Sequence, residues 1–537
     1  MGTSESSLLA FQLLFVSAHS LPIMRFLSFF ALLSTAAAAV VNYPRASFYP
    51  ESEEFSLTVG GKKIDTVNFA NNYDYAHLAM DAGSPVEFRL KAKTQKSITS
   101  YILSPRGQNF GAKISGNELV FSASKPQYFI ILINKVKEMV ILVDPIEKDV
   151  PKDKGDGIFN VLDYKADNSG KAITKGIQDA ADAAAKKPGS IVYVPAGSYL
   201  MGNLMLKSFT SLYLAPGAAL RFTGNRNDYK TLFTKAGLFD GTWWIQTEPA
   251  SDGVKIYGRG TIDGNGKYTR SQKYMASLVV PVGTKNFKYD GVLVRDGSFW
   301  AVTPIQAKDV EFTNLKILNR HDVTQDDGID VVESQRVTVK RSIAIANDDS
   351  YSCKTWEPNL DTTKPYPFKP QVVKDIVFDD CMSWTECYSF KIGQGVVEDQ
   401  SNVLFKNGVV YNAGVGMGVH HLYGSKTASN ITFDTIDVEN LHGNSGGIAT
   451  WLALHIKDNG NNRGVGPIKD VTVKNIRARV KGTREGLIQG WSDKFKVSGV
   501  TFSNVFMGDS KTPATTLKEM NMVNTSFSEG IKFANTK

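Results

Sequence analysis

Five aspartates lie in two short segments of this 537-residue chain, and carboxyl groups at this density can do acid–base chemistry. The first segment holds Asp326, Asp327 and Asp330, and the second holds Asp348 and Asp349, with Asp348 21 positions after Asp327. Cleavage of a glycosidic bond needs a protonated acid at the leaving oxygen and a carboxylate on the other side. Crowded carboxylates repel, which keeps at least one of them protonated. Single Asp-Asp pairs also occur in ordinary polar turns, so the argument depends on the second group.

A repeated strand pattern predicts how these segments are positioned. Short units that alternate apolar and polar residues recur between Val310 and Asn504, and their central residues are separated by 27, 39, 27, 28, 40 and 29 positions. These central residues are Phe312, Val339, Phe378, Phe405, Phe433, Val473 and Phe502. Four of the six intervals are 27–29, and the other two look like the same unit with about a dozen inserted residues. A fixed period in this range is typical of stacked units that share one core. Because the units look like strands, they predict a parallel β-helix, which is right-handed by the rule for parallel crossovers.

The repeat also predicts which side chains are neighbours. Asp349 follows Val339 by ten residues, and Tyr388 follows Phe378 by ten residues. Equal offsets place the two residues about one strand spacing apart, roughly 4.8 Å, on one face. Asp327 follows Phe312 by 15 residues and needs a longer turn to reach that face. We therefore predict one patch that contains Asp327, Asp348 and Asp349.

The rest of the chain divides into regions that differ in their residue patterns. Residues 40–150 contain alternating runs broken by Gly and Pro, which predict a small antiparallel β-sandwich. A polar linker separates it from residues 157–505, the predicted β-helix, and residues 506–537 are expected to form a C-terminal tail. Ile173, Ile177, Ala181 and Ala184 are spaced as on one helix, which would cap the open end of the stack. The fold class is therefore all-β, a β-helix preceded by a sandwich.

The N-terminus resembles a targeting segment. Residues 1–39 contain a signal-peptide pattern that begins at Met24-Arg25, continues with apolar residues and ends in small residues. We expect a secreted, extracellular protein, with residues 1–23 as an upstream extension. The three cysteines match no zinc pattern, and we expect no metal and no cofactor. The net charge of +8 is spread over strand-like segments, so we expect no nucleic-acid binding. No apolar run of about 18 or more residues follows residue 40, so we expect no membrane span in the mature chain. We also expect a monomer.

Several motifs in one order resemble the polygalacturonase family of pectin-degrading glycoside hydrolases. They are the GRGTIDGNG segment at 258–266, SFW at 298–300, DGID at 327–330 and NDD at 347–349. The resemblance covers about residues 157–505. It implies an inverting hydrolase with the fold of the pectin lyases that acts on cell-wall polysaccharide. In such an enzyme Asp348 is the general acid, while Asp327 and Asp349 activate the attacking water.

Two departures bear on the substrate. Tyr388 stands where the family has a histidine, and the family's R-I-K segment is only partly kept as His455-Ile456-Lys457. A sandwich before the β-helix resembles fungal dextranases and isopullulanase, which cut α-glucans. The aromatics Trp356, Trp451 and Trp491 could line sugar subsites, since pyranose faces are apolar. The residues that we expect to bind substrate are Tyr388, Lys391, His421, Trp451, His455 and Lys457.

Alternatives to the pectic hydrolase remain at this point. One is an α-glucan hydrolase similar to dextranase. Another is a calcium-dependent β-eliminase similar to pectate lyase, for which Lys391 is the nearest candidate base. The third is a β-helix that binds carbohydrate without cleaving it, and the acid cluster argues against this. The partner in each case is a polysaccharide.

Overall fold

The computed structural model describes residues 39–69, 72–442, 449–458 and 463–534. The predicted signal segment lies outside the described residues, apart from Ala39. Strands dominate what is described, and the fold class predicted from the sequence is confirmed. No helix among the described residues is long and apolar enough to span a bilayer.

The chain begins with eleven short strands that form the sandwich. They are β1 (Val40–Asn42), β2 (Phe55–Val59), β3 (Lys62–Ile64), β4 (Thr66–Phe69), β5 (Tyr73–Met80), β6 (Val86–Ala92), β7 (Tyr101–Ser104), β8 (Lys113–Ser115), β9 (Glu118–Ala123), β10 (Tyr128–Ile133) and β11 (Lys137–Pro145). One sheet has the order β1-β5-β11-β10-β7 with β4 beside β5, and the other has the order β3-β2-β6-β9-β8. Their facing side chains, such as Phe88, Phe121 and Phe129, form a separate apolar core.

The first half of the β-helix contains short strands and two helices, α1 (Gly176–Ala184) and α2 (Gly266–Ser271). Its strands are β12 (Ile158–Asn160), β13 (Ser169–Thr174), β14 (Ile191–Val194), β15 (Gly197–Met201), β16 (Leu204–Leu206), β17 (Ser211–Leu214), β18 (Ala218–Arg221), β19 (Phe233–Lys235), β20 (Phe239–Thr247), β21 (Lys255–Gly258), β22 (Thr261–Asp263), β23 (Tyr274–Val280), β24 (Lys288–Asp290) and β25 (Leu293–Arg295). Short 3-10 helices lie at Val161–Tyr164 and Arg226–Asp228.

The second half contains longer strands and a third 3-10 helix at Asp361–Thr363. The strands are β26 (Lys308–Thr313), β27 (Lys316–Leu318), β28 (Ile329–Val332), β29 (Gln335–Ala346), β30 (Tyr351–Thr355), β31 (Val373–Thr385), β32 (Tyr388–Val396), β33 (Gln400–Asn412), β34 (Val415–Tyr423), β35 (Ala428–Val438), β36 (Thr450–Ile456), β37 (Ile468–Ala478), β38 (Leu487–Gln489), β39 (Val497–Met507), β40 (Asn524–Ser526), β41 (Ser528–Glu529) and β42 (Lys532–Phe533).

Parallel pairing stacks these strands into sheets that run along the helix. The longest sheet extends from β12 to β42, and a second sheet has the order β28-β30-β32-β34-β36-β38-β40. All seven repeat positions identified in the sequence pair in register, from Phe312 opposite Val339 to Val473 opposite Phe502. Phe378, Phe405 and Phe433 stack inside the helix with ring centroids 4.8 and 5.2 Å apart. The repeat interpretation is therefore confirmed.

The two ends of the stack differ in detail from the prediction. Helix α1 packs Ile177, Ala181 and Ala184 against the first turns and covers the open end as expected. Ile173, which the helical spacing included, lies instead in β13 and is exposed. At the other end, the short strands β41 and β42 lie within the predicted C-terminal tail, and they pair with β39 and extend the stack. The domain boundaries themselves stay a prediction.

The sandwich packs against the long sheet of the β-helix, close to the turns that lead into the second sheet. Tyr73 donates a hydrogen bond from its hydroxyl to the carbonyl of Asn319 at 2.8 Å, and Arg295 donates to the hydroxyl of Tyr75 at 2.9 Å. A buried group that we call the interface cluster lies between the two parts. Asp144 binds Lys316 at 2.6 Å, His77 at 2.8 Å and Arg259 at 3.1 Å, which joins residues from both parts through one carboxylate.

Candidate active site

The three predicted catalytic aspartates meet at the start of the second sheet. Asp327 lies just before β28, and Asp348 and Asp349 lie just before β30. These strands are parallel, with Ile329 opposite Tyr351, and the amide of Gly328 donates to the carbonyl of Asp349 at 2.8 Å. Asp327 and Asp349 therefore occupy equivalent positions in neighbouring turns. The patch expected from the rung spacing is formed in the structure.

Two buried lysines bind this group of acids. The Nζ atom of Lys354 lies 2.6 Å from Asp327 Oδ2, 2.9 Å from Asp330 Oδ1 and 3.7 Å from Asp349 Oδ2. Lys391 Nζ lies 2.7 Å from the same oxygen of Asp349. We call Asp327, Asp330, Asp348, Asp349, Lys354 and Lys391 the catalytic cluster. It contains four carboxyl groups and two ammonium groups, so negative charge is in excess.

The pKa values of the acids follow from burial and from these lysines. Burial raises the pKa of Asp327, and the neighbouring Asp330 adds to this while Lys354 opposes it. Burial likewise raises the pKa of Asp330 against the effect of Lys354. Asp349 differs, because Lys391 and Lys354 outweigh its burial and lower its pKa. Asp327 and Asp330 therefore retain their protons more tightly than separate carboxyls would, while Asp349 stays ionised.

Asp348 is the least enclosed of the three acids. It is partly exposed, and its Oδ1 accepts the amide N–H of Asp349 at 3.0 Å. No lysine, arginine or histidine of the described residues forms an ion pair with it. Asp326 supports the same turn from below, since its Oδ1 accepts the amide of Asn347 at 2.8 Å. A carboxyl so placed can give a proton to a ligand without first breaking an ion pair.

The acids open into a cavity of about 420 Å³. Its walls combine aromatic rings with charged and amide groups, the arrangement expected of a sugar site. The lining residues include Lys235, Trp300, Gln325, Asp327, Asp348, Asp349, Lys354, Trp356, Glu357, Lys391, Gln394, Tyr423 and Arg463. Trp300 and Trp356 lie nearly parallel with centroids 6.4 Å apart. Arg463 binds Glu357 at 2.6 Å and covers the ring of Tyr423 at 3.8 Å.

Tyr388 lies beside Asp349, as the equal rung offsets predict. Its backbone N–H points to Asp349 Oδ1 at 3.4 Å, and Lys391 lies 4.7 Å above its ring. The Tyr388 hydroxyl contacts His455 Nε2 at 3.2 Å. The ring lies close to Gly418, where an added Cβ atom would come within 2.9 Å of it. Tyr388 and His455 thus form a unit next to the acids.

Three residues that we expected to bind substrate are placed elsewhere. His421 is fully buried and its Nε2 contacts the carbonyl of Lys426 at 2.8 Å. Trp451 is also fully buried in the core and donates to the carbonyl of Met520 at 2.7 Å. His421 continues the alternation of the core residues Met417 and Val419 of β34, and Trp451 packs into the same core, so neither side chain lines the cavity. Lys457 is exposed just beyond the end of β36 and does not line the cavity.

Other residues of the site were missed by the sequence reasoning. Lys354 contacts Asp327, Asp330 and Asp349. The alternation of side chains along β30 could have predicted that it faces these acids. Tyr351 and Cys353 face the core, so Ser352 and Lys354 must face outward beside the acids. Trp300 belongs to the SFW motif but was not predicted to line the site. Lys235 lies more than 90 residues before Asp327 in a hairpin, and no repeat position relates the two. Trp356, considered as a subsite residue, does line the cavity.

Comparison with known proteins agrees with this geometry. Residues 186–367 match the family model described as "Glycosyl hydrolases family 28", and this segment includes all three aspartates. An endo-polygalacturonase of Pectobacterium carotovorum subsp. carotovorum is 24% identical over 361 residues, which cover 58% of this chain and 85% of that protein. The chain is a glycoside hydrolase, and it is similar to polygalacturonases.

Two solved structures share the fold of this glycoside hydrolase. A family 28 exopolygalacturonase of Yersinia enterocolitica is 18% identical with a TM-score of 0.54, covering 84% of this chain and 96% of its own. Dex49A from Penicillium minioluteum is 12% identical with a TM-score of 0.58, covering 92% of this chain and 96% of its own. At these identities the similarity concerns the fold alone.

Proposed function

We propose that this glycoside hydrolase cleaves a pectic polysaccharide with inversion of configuration at the anomeric carbon. The observation that carries the proposal is the division of the acids into two kinds. Asp327 and Asp349 are bound by Lys354 and Lys391, whereas Asp348 has no such partner among the described residues and faces the cavity. Inverting hydrolysis needs this division, because one group gives a proton while the others activate water.

In this mechanism Asp348 protonates the leaving oxygen. Asp349 stays ionised and accepts a proton from the attacking water. Asp327 binds Lys354 through Oδ2, and its Oδ1 is buried without a hydrogen-bond partner among the described residues, so it can orient the same water. Trp300 and Trp356 supply apolar surface for the sugar rings. The names of the related polygalacturonases support the pectic substrate.

A second candidate is an α-glucan hydrolase. Two observations favour it: Tyr388 replaces the family's histidine, and Dex49A covers nearly the whole chain, including the sandwich. The β-eliminase is less consistent with the geometry. Asp349 raises the pKa of Lys391 despite its burial, so this lysine stays protonated and is a poor base for removing a proton from a sugar carbon.

Product analysis separates these candidates. The purified protein is incubated with polygalacturonate, rhamnogalacturonan, dextran and pullulan, with and without a chelator. We expect reducing ends from polygalacturonate, no unsaturated product, and resistance to the chelator. NMR in the first minutes should show the inverted anomer. Cleavage of dextran alone would favour the second candidate, and retention of configuration would mean that the catalytic assignment is wrong.

Secretion and the monomeric state are also proposals. The signal-like residues 24–39 and the family's common extracellular setting support secretion. Expression in a secreting host followed by N-terminal sequencing should give a mature chain that begins near Val40. Light scattering on the same material should give the mass of one chain.

A further inference from the structure

The cavity contains one cation with an unusual position. Lys235 is the last residue of β19, which pairs with β20 in a tight hairpin where Phe233 lies opposite Gly241. A Cβ atom on Gly241 would lie 2.2 Å from the Phe233 ring, so the hairpin needs glycine there. Beyond the strand, the amide of Ala236 donates to Asp361 Oδ2 at 3.3 Å. These contacts hold Lys235 at one wall of the cavity.

Lys235 differs from the other cations of the cavity by its lack of a counter-charge. Lys354 binds Asp327, Lys391 binds Asp349 and Arg463 binds Glu357. The Lys235 ammonium instead lies 4.9 Å from the ring centroid of Phe299 and 5.6 Å from that of Trp300. Within the described part of the chain, no carboxylate forms an ion pair with it. Burial lowers its pKa, although Asp327 and Asp348 act in the opposite direction.

An ammonium in this position can gain most from an anionic ligand. Burial removes water from the charge, and aromatic faces replace only part of that interaction. The carboxylate of a uronic acid would supply a charge-assisted hydrogen bond. Because Lys235 lines the same cavity as Asp348, that sugar would lie next to the bond being cleaved.

We propose that Lys235 is a specificity-determining residue that binds the carboxylate of a galacturonate unit adjacent to the scissile bond. This inference rests on the proposed pectic substrate and names the residue that recognises it. Recognition of the carboxylate is thereby assigned to the β19–β20 hairpin, which precedes the catalytic strands in the chain. It is not assigned to the His455-Ile456-Lys457 segment.

The test compares Lys235→Met with Lys235→Arg, and uses Lys230→Met as the matched control. Lys230 is exposed at the start of the same hairpin region and does not line the cavity. Each variant is assayed on polygalacturonate and on its methyl ester, which lacks the negative charge. A charge-assisted hydrogen bond is typically worth about a 10- to 100-fold change in affinity. We expect Lys235→Met to raise KM on polygalacturonate by about this factor and to leave KM on the ester nearly unchanged.

Partial recovery in Lys235→Arg and normal kinetics in Lys230→Met would complete the expected pattern. Equal losses on both substrates, or no loss on either, would overturn the inference while the wild-type activity still supports a pectic hydrolase. A wild-type enzyme that cleaves only neutral glucans would refute the substrate proposal and this inference together. Binding of galacturonate oligomers to each variant in an Asp348→Asn background, followed by tryptophan fluorescence, gives a readout independent of turnover.

Discussion

The molecule contains two buried ionic clusters that differ in their charge balance. In the interface cluster, Asp144 is one carboxylate among Lys316, Arg259 and His77. The two cations Lys316 and Arg259, together with the hydrogen bond to His77, lower the pKa of Asp144, although burial alone would raise it. In the catalytic cluster, carboxyls outnumber lysines, and the pKa of Asp327 is raised. The comparison indicates that burial does not decide the role of an acid. The surrounding charges and the access to a cavity decide it.

The largest effect is expected from Asp348→Asn. The substitution keeps the shape of the side chain and removes the transferable proton. Loss of general acid catalysis typically lowers the rate by ~10²–10⁴, while substrate binding should survive because only the transition state needs the proton. Steady-state kinetics and binding measurements check this. The control is Asp309→Asn, which removes an exposed acid that pairs with Arg336 on the outer surface. Turnover near the wild-type level would refute the role of Asp348.

Asp144→Asn should affect stability and not chemistry. The variant leaves Lys316 buried without its carboxylate, while Arg259 keeps its pair with Asp290, and breaking a buried pair typically costs about 3–5 kcal/mol. We expect a lower midpoint in urea unfolding and a wild-type kcat per folded molecule. If kcat falls as strongly as in Asp348→Asn, the two clusters are not separable in function.

Lys354→Met should shift the pH dependence of catalysis. The ammonium of Lys354 favours the ionised forms of Asp327 and Asp349, so its loss raises their pKa values. An adjacent opposite charge typically changes a pKa by about 1–3 units. The acid limb of kcat/KM should therefore move to higher pH by about that amount. Lys354→Arg keeps the charge and serves as the control. An unchanged acid limb in Lys354→Met would show that Lys354 does not set these pKa values.

The smallest effect is expected from His77→Gln. Burial, with Lys316, lowers the pKa of His77 to about 4. In the unfolded chain His77 therefore binds a proton below about pH 6.5, whereas in the folded chain it binds one only below about pH 4. The free energy of unfolding is therefore unaffected by this proton above about pH 6.5, and it decreases as the pH falls from about 6.5 to about 4.

Removal of His77 should make the pH slope of unfolding free energy shallower by about one proton, or about 1.4 kcal/mol per pH unit. Urea unfolding at several pH values between 4 and 6.5 measures this slope. His442→Gln, at an exposed histidine, is the control. Equal slopes in His77→Gln and the wild type would mean that the interface cluster does not exclude the proton.

The sequence alone determined the stacking of the β-helix and the position of the acids along it. Inward apolar residues recur at nearly fixed intervals, and parallel strands keep equal offsets in register, so Phe378 stacks on Phe405 and Asp349 lies beside Tyr388. Periodicity also placed Asp327 near Asp348. These results follow from backbone hydrogen bonding, which is the same in every turn of the stack.

Only the tertiary structure decided which other side chains reach the acids. Lys354 and Lys391 extend over the strand surface to bind carboxylates, and Lys235 arrives from a hairpin that no repeat position relates to them. His421 and Trp451 carry suitable chemistry, yet both are fully buried and do not line the cavity. The physical reason is that a repeat specifies the backbone register. The reach of long side chains and the paths of inserted loops depend on contacts between residues that are distant in the sequence.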